Sequence, residues 1–487
     1  MMRTLLAALA CAAVSPAAAP AADRPNIVWI FVDDMSADFG CYGQKRIATP
    51  HVDKLAAGGT RFTNAYVTAP VCSPCRSALI TGMYQTTIGA HHHRSGRGVE
   101  KIRLPAGVEP VPALFRKAGY HTSITGWPVA EGKPAARGKT DYNFVWDPGI
   151  YDGNDWRGRK PGQPFFCQIQ LHGGKHREGR GGLPERIRTA LGTLTRPEDV
   201  TLPPYYPDDP LIRADWAAYL DTCRFTDHEV GQILARLDAD GLTGDTVVFF
   251  MTDHGISHAR GKQFLYNEGT HVPFVIAGPG IAAGATRTDL VEHIDMAATS
   301  LASAGIGVPA AMQGRDILGK DYKPREAVFA ARDRCDETVD HLRSVRTARW
   351  LYVRNHLPKR PHLQPNAYKD GKPIIKRLRE LHGAGKLPEL CERLLFAPER
   401  PAEELYDVTA DPHQIRNLAA DPAYAETLKE MRARLAKWEI DTDDKGRHPE
   451  PAAMFDSDMA VYLKGRGGND VTRRNIELMK RWAAEGK

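Results

Sequence analysis

Three stretches of this chain place residues of catalytic type close together. RPNIVWIFVDDM (24–35) ends an apolar run on two adjacent acids, Asp33 and Asp34. TVVFFMTDHG (246–255) ends a second run on Asp253 and His254. If both runs are strands of one sheet, three carboxylates and an imidazole meet at the same edge. Like charges so close persist only beside a cation or when protonated. Carboxylate oxygens suit a hard divalent ion such as Ca²⁺ or Mg²⁺ better than zinc. The third stretch, APVCSPCRSALITG (69–82), reads as a short helix. Ser73 is its expected N-cap, Pro74 its first helical residue and Gly82 its stop. Cys72 then sits at a helix N-terminus, where amides and dipole favour an anion. Arg76, one turn in, can grip an oxyanion bidentately. The C-x-x-C pair Cys72 and Cys75 is open to a redox, zinc or disulfide reading, or to a cysteine converted into another group. No second C-x-x-C or His-x-His pairing stands near it at zinc-finger spacing.

These residues need a scaffold that brings distant segments together. The apolar runs 24–35, 164–171, 246–252 and 272–277 lack alternation, as buried parallel strands do. Between them come helix–Gly–strand units at 49–67 and 111–125 and an amphipathic helix from 229. The fold class expected is α/β, a mostly parallel central sheet sandwiched by helices. The polar residues cluster at the carboxyl ends of the strands, where open sheets of this class place ligands. From about 345 the pattern changes to short strands and a helix over 424–440. Residues 23–350 are therefore read as a catalytic domain and 351–487 as a smaller α+β subdomain.

The chain has 487 residues, 42% hydrophobic and 25% charged, with a formal net charge of +6. That is enough for a full core with an ordinary surface. The basic excess is too weak, and too unclustered, for nucleic acid. Residues 1–22 read as a cleaved export signal: Arg3, an apolar run from Leu5 to Val14, and Ala19-Pro20-Ala21 before the cut. The mature protein is expected to be periplasmic or secreted. The residues flanking Cys11 fit a lipid anchor poorly. No later run approaches the roughly 20 apolar residues of a membrane span.

Taken in order, NIVWIFVDDM, TPHVDKLAAGGTRFTNAYV, CSPCRSALITG, GKTDYNF, TDHG…GKQFLYNEGTHVPFVIAGPG and EELYDVTADPHQIRNLAADP resemble the successive blocks of the type I sulfatases, in the alkaline phosphatase superfamily. CSPCR matches that family's C-x-P-x-R signature. The resemblance implies that a formylglycine-generating enzyme converts Cys72 to formylglycine (3-oxoalanine). It also implies Ca²⁺ held by Asp33, Asp34, Cys72, Asp253 and His254. A thiol would leave a stable adduct on sulfur. A hydrated aldehyde attacks with one hydroxyl, and the other collapses to expel sulfate. Arg76, Lys139, Lys175 and Lys262 match, or stand in for, the family's sulfate-binding residues, with His176 beside Lys175. There are departures. Asp141 stands where a histidine is usual, and Lys175 replaces another. The insertion before GKTDYNF makes Lys133 a competitor for the role of Lys139.

HHHRSG (91–96) follows the nucleophile helix, so His93 and Arg94 are candidates to line a substrate pocket. In 331–355, dense in charge, Arg332, Arg334 and Asp336 are candidates to read sugar hydroxyls or a uronate, against the plainer reading of a solvated strand and loop. The blocks GMYQTTIGAHHHRS, KTDYNF and RDRCDETVDHLRSVRT are similar to bacterial polysaccharide sulfatases grouped near the heparan N-sulfatases. A sulfated carbohydrate is the substrate this implies. The rivals are a phosphonate monoester hydrolase or phosphodiesterase of the same superfamily, and a catalytically inactive glycan-binding protein.

Overall fold

The computed structural model describes residues 24–130, 132–178, 182–465 and 467–487; the stretch 1–22 expected to be an export signal, with Cys11, lies outside them. The apolar runs form the middle of an eight-stranded sheet. In spatial order the strands are Ala136–Arg137, His121–Gly126, Phe165–Leu171, Asn26–Val32, Thr246–Thr252, Phe274–Ala277, Gly59–Phe62 and Ala285–Arg287. The four from His121–Gly126 to Thr246–Thr252 run parallel. Phe274–Ala277 is antiparallel to both its neighbours, so the sheet is mixed towards its edges.

Every residue of Phe165–Leu171, Asn26–Val32 and Thr246–Thr252 is buried. Both faces are covered, which is why these strands read as continuous apolar runs. Val28, Ile30 and Val32 enter one core with helix Pro50–Ala57 and the 30-residue helix Pro210–Ala239. Ile27, Trp29 and Phe31 enter a second core with helices Cys72–Thr81, Val111–Lys117 and Asp295–Ser303. Each such side chain contributes about 1.5–3 kcal/mol on burial. The strand ending in Asp33-Asp34 is thus held from both sides.

A second, four-stranded antiparallel sheet runs Val328–Arg332, Leu342–Arg346, Trp350–Asn355, Glu403–Asp407. It straddles residue 350, where the sequence suggests a boundary. Helix Ala425–Asp441 packs on it. The same cluster takes in Ala78 of helix Cys72–Thr81 and Tyr84 just beyond it, and Ala330, Leu342 and Leu351 enter the core of Val28 and Ile30, so the two sheets share a core. The charge-dense stretch is not a solvated surface: Arg332, Asp333, Arg334, Asp340 and Arg343 are all buried. They pair with one another and with residues of later segments, which compensates charge that the sequence alone assigns to water.

Candidate active site

Helix Cys72–Thr81 is buried along its whole length and stops at Gly82, whose φ of 63° is left-handed. Its N-cap is Val71, in extended backbone and without a capping side chain. Ser73 is not the cap. It is already inside the first turn, and its hydroxyl turns to the following loop, 2.8 Å from His93 Nδ1 and accepting from the Arg94 amide. Cys72 is therefore the first helical residue, and its side chain leaves the helix at the positive end of the dipole.

The Cys72 sulfur faces Lys262 Nζ at 3.0 Å, His254 Nε2 at 3.3 Å, Asp34 Oδ1 at 3.7 Å and Lys175 Nζ at 3.7 Å. Burial would push this thiol up, but Lys139, Lys175 and Lys262 hold it well below the ordinary range. Asp34, Cys72, Asp253 and His254 bring their ligand atoms within 4.8 Å of one another. Asp33 stands just outside this set. Its carboxylate is taken by Arg76 and Lys175, with Lys139 Nζ 3.2 Å away. Burial opposes its ionisation, and these cations hold it well below the usual carboxylate range. Asp253 fares differently: burial dominates and pushes it up to about 7. Asp34 turns the chain here with φ 53°, and its amide donates to Asp253 Oδ1 at 2.9 Å.

Each cation has its own delivery. Arg76 reaches Asp33, Asp253 and Gln170 from the buried helix. Lys262 follows the strand Thr246–Thr252 and donates to Asp34 Oδ1 at 2.9 Å. Lys175 comes from a 3₁₀ segment, Gly173–Glu178. A Cβ on Gly173 or Gly174 would overlap the Asp33 or Asp34 carbonyl oxygen, so only glycine lets this segment lie against the DD turn. Lys139, not the exposed Lys133, reaches the centre. Asp141, in the usual histidine's place, pairs with Arg97 and lies 3.5 Å from Lys139.

Beside the helix, Asp336 Oδ1 lies 3.3 Å from Arg94 Nη1 and 3.7 Å from His93 Nε2. Arg94 and Asp336 both take left-handed backbone, at φ 56° and 51°. His93, Cys335 and Asp336 form a second buried group with ligand atoms within 4.8 Å.

Three candidates are not brought in. His176 turns away to Glu229 at 3.9 Å and packs on Phe225, because neighbours on a 3₁₀ turn diverge by about 120°. Arg332 is buried against Asp340. Arg334 is spent on Glu450 and Asp458, at 2.7 Å each. Cys75 is a free thiol packed into the core below the helix, and burial pushes it well up; Cys72 is also free. The sequence reading missed two contributors. Gln170, on a central strand, steadies Arg76. Tyr368, from the C-terminal part, donates to Asp34 Oδ2 at 3.2 Å.

The family model for Sulfatase matches residues 25–306, the span that carries the acids, bases and cations around Cys72, while Asp336 and Tyr368 lie beyond it. The chain belongs to the sulfatase family. It is 31% identical to an ulvan-active sulfatase of Formosa agariphila, over 88% of this chain and 77% of that one. It is 29% identical to human N-sulphoglucosamine sulphohydrolase, over 86% and 91%. The fold is shared with the solved structure of a 2-O GAG sulfatase, at TM-score 0.61 and 22% identity over 88% and 94% of the two chains. It is shared equally with the phosphonate monoester hydrolase of Agrobacterium radiobacter, at TM-score 0.61 and 18% identity over 86% and 96%. The architecture therefore does not separate sulfate from phosphonate. The family match and the two relatives do, and the chain is a sulfuric ester hydrolase.

Proposed function

We propose that this sulfatase removes an O-sulfate or N-sulfate from a sulfated polysaccharide or its oligosaccharides, with the residue at position 72 as nucleophile. The observation that carries the reading is the setting of Cys72. It is a side chain at a helix N-terminus, ringed by Lys262, His254, Asp34 and Lys175 within 3.7 Å. The substrate class is supported by the relatives, one ulvan-active and one named for N-sulphoglucosamine.

The donor set fits a hard divalent cation. Two buried carboxylates and an imidazole converge, and burial pushes Asp253 up to about 7, a shift that a cation beside it would oppose. The one mismatch is sulfur at position 72, a soft donor. Conversion of Cys72 to formylglycine by a generating enzyme replaces it with oxygen. Asp34, Asp253, His254 and the converted residue 72 would hold Ca²⁺, with Asp33 beside them. Bound there, Ca²⁺ supplies positive charge to a sulfate oxygen and to the attacking hydroxyl.

The chain's own residues divide the remaining work. Lys262, fully enclosed, holds a sulfate oxygen. Arg76 and Lys139 keep Asp33 ionised and in place. Lys175 combines a partly exposed side chain with a place 3.7 Å from the Cys72 sulfur, and it carries the proton the leaving group needs. Arg94, His93 and Asp336 offer donors and an acceptor to the sugar. We also propose that residues 1–22 direct export to the periplasm or beyond. Among the described residues no helix is long and apolar enough to cross a membrane.

The test is release of free sulfate from heparan and chondroitin oligosaccharides, N-sulfoglucosamine, ulvan and carrageenan fragments and an aryl sulfate. The protein is coexpressed with a formylglycine-generating enzyme, and Cys72→Ala is the control. Release that the control abolishes supports the reading and names the glycan. Conversion of Cys72 shown by mass, with no sulfate released and turnover of a phosphonate monoester instead, would overturn it.

A further inference from the structure

The two oxygens of Asp34 have different surroundings. Oδ1 faces the centre, with Lys262 Nζ at 2.9 Å, His254 Nε2 at 3.4 Å, the Cys72 sulfur at 3.7 Å and Lys175 Nζ at 3.8 Å. Oδ2 faces away and accepts from the Tyr368 hydroxyl at 3.2 Å. A carboxylate held at its outer oxygen cannot rotate its inner oxygen out of the centre. The Tyr368 ring does a second thing: Lys262 Nζ lies 5.0 Å from its centroid, within cation–π range.

The short helix Ala367–Asp370 that carries Tyr368 is tied to the site on every side. Asn366 caps it, accepting from the Lys369 amide at 2.9 Å. Asn366 Nδ2 also donates to the Cys335 carbonyl at 3.2 Å and to Thr338 Oγ1 at 3.0 Å, in the loop that bears Asp336. Lys369 is 1% exposed. Its side-chain nitrogen donates to the carbonyl oxygens of His258 at 2.8 Å and Lys262 at 2.7 Å. Lys262 is thus gripped at both ends, its backbone by Lys369 and its ammonium by the face of Tyr368.

We propose that Tyr368 is a positioning residue of the catalytic centre, which fixes the Asp34 carboxylate for a divalent cation and steadies Lys262 for sulfate. The helix Ala367–Asp370 is then part of the catalytic apparatus, although it lies outside the span the family model matches. The first half rests on the reading of Asp34 as a ligand. Hydrogen bonds to the far side of a ligating group typically change metal affinity by about 10–100-fold, because they fix orientation without altering the donor. Tyr368→Phe keeps the ring and removes only the hydroxyl. Tyr368→Leu removes both.

The experiment measures the Ca²⁺ dissociation constant of metal-free wild type, Tyr368→Phe and Tyr368→Leu by calorimetry. Melting of the same metal-free proteins and the inhibition constant for inorganic sulfate are measured alongside. In Tyr368→Phe the Ca²⁺ constant should rise roughly 10-fold, with melting unchanged and sulfate inhibition within about twofold of wild type. In Tyr368→Leu sulfate inhibition should weaken as well, by about 5-fold, as expected for loss of a cation–π contact. An unchanged Ca²⁺ constant in Tyr368→Phe would overturn the proposal. A wild type that takes up no Ca²⁺ would instead sink the cation reading beneath it. The Lys262 half is then judged alone, and unchanged sulfate inhibition in Tyr368→Leu would overturn that.

Discussion

The ammonium of Lys175 lies 3.7 Å from the Cys72 sulfur, in the place where a histidine is usual in the sulfatase blocks this chain resembles. A lysine there is a stronger base and a weaker acid than a histidine. It also pairs with Asp33, and the carboxylates of Asp33 and Asp34 oppose the effect of burial and favour its protonated form. It therefore arrives at the reaction carrying its proton. Lys175→Met should lower kcat by about 10²–10³-fold on a sugar sulfate, the usual cost of one preorganised charged donor. On an aryl sulfate, whose leaving group needs little protonation, the loss should be several-fold smaller. Steady-state kinetics on the two substrates check this. Equal losses on both would assign Lys175 to sulfate binding alone.

Gly174 makes a second, purely steric prediction. A Cβ at this position would overlap the carbonyl oxygen of Asp34, in the buried turn just after strand Asn26–Val32. Gly174→Ala must push the 3₁₀ segment and the DD turn apart. Overpacking of this kind costs about 1–3 kcal/mol. The melting temperature should fall, and activity should fall further than in Lys175→Met, because Asp34 moves as well as Lys175. Gly244→Ala, where a Cβ meets nothing within 4 Å and the backbone is not left-handed, is the control.

What the sequence shows and hides follows from range. The central strands are legible because full burial on both faces leaves an unbroken apolar run. Two- and three-residue edge strands such as Ala136–Arg137 and Ala285–Arg287 carry no such pattern. Asp33, Asp34, Asp253 and His254 are legible because they follow those runs directly. Ser73 misleads as a cap because Ser favours that position, while the helix in fact begins at Cys72, two residues before the expected Pro74. Arg332 and Arg334 mislead because their partners Asp340, Glu450 and Asp458 lie elsewhere in the chain, and a buried arginine looks like a solvated one until its acid is found. Nothing local in NAYKD points Tyr368 at Asp34; that contact exists only once the C-terminal part has folded back.

The histidines of the HHHRSG loop have a testable pH signature. His91 is buried, and burial, with Arg343 nearby, pushes it down to about 3. Its unfolded value is about 6.5. The folded state therefore binds fewer protons than the unfolded state between pH 6.5 and 3, and this residue's contribution to stability is lost as pH falls through that window. Buried acids pull the other way. Burial pushes Glu268 and Asp333 up to about 7, so they favour the folded state as pH falls. The whole-protein melting curve mixes both effects. The clean observable is the difference in melting temperature between His91→Gln and wild type, which should move in the variant's favour on going from pH 7.5 to 5. A pH-independent difference would mean that His91 is solvated in the native state.

Asp215 makes the largest stability prediction. From the middle of helix Pro210–Ala239 its Oδ1 lies 3.1 Å from Arg177 Nε and 2.7 Å from His258 Nε2. Arg177 belongs to the segment that presents Lys175, and His258 to the loop that presents Lys262. One carboxylate thus ties both lysine-bearing segments to the long helix. Burial raises its pKa, but Arg177 and His258 overcome that and keep it ionised. His258 is itself held neutral, pushed down to about 3 by burial and by Arg177. Asp215→Ala leaves the Arg177 guanidinium, whose side chain is 5% exposed, without its counter-charge. Breaking a buried pair from one side costs about 3–5 kcal/mol. Asp215→Asn keeps the volume and one acceptor, and should cost less. Chemical denaturation of the three proteins measures the ranking. If both variants retain wild-type stability and kcat, the Arg177–Asp215–His258 link does not hold the lysines in place.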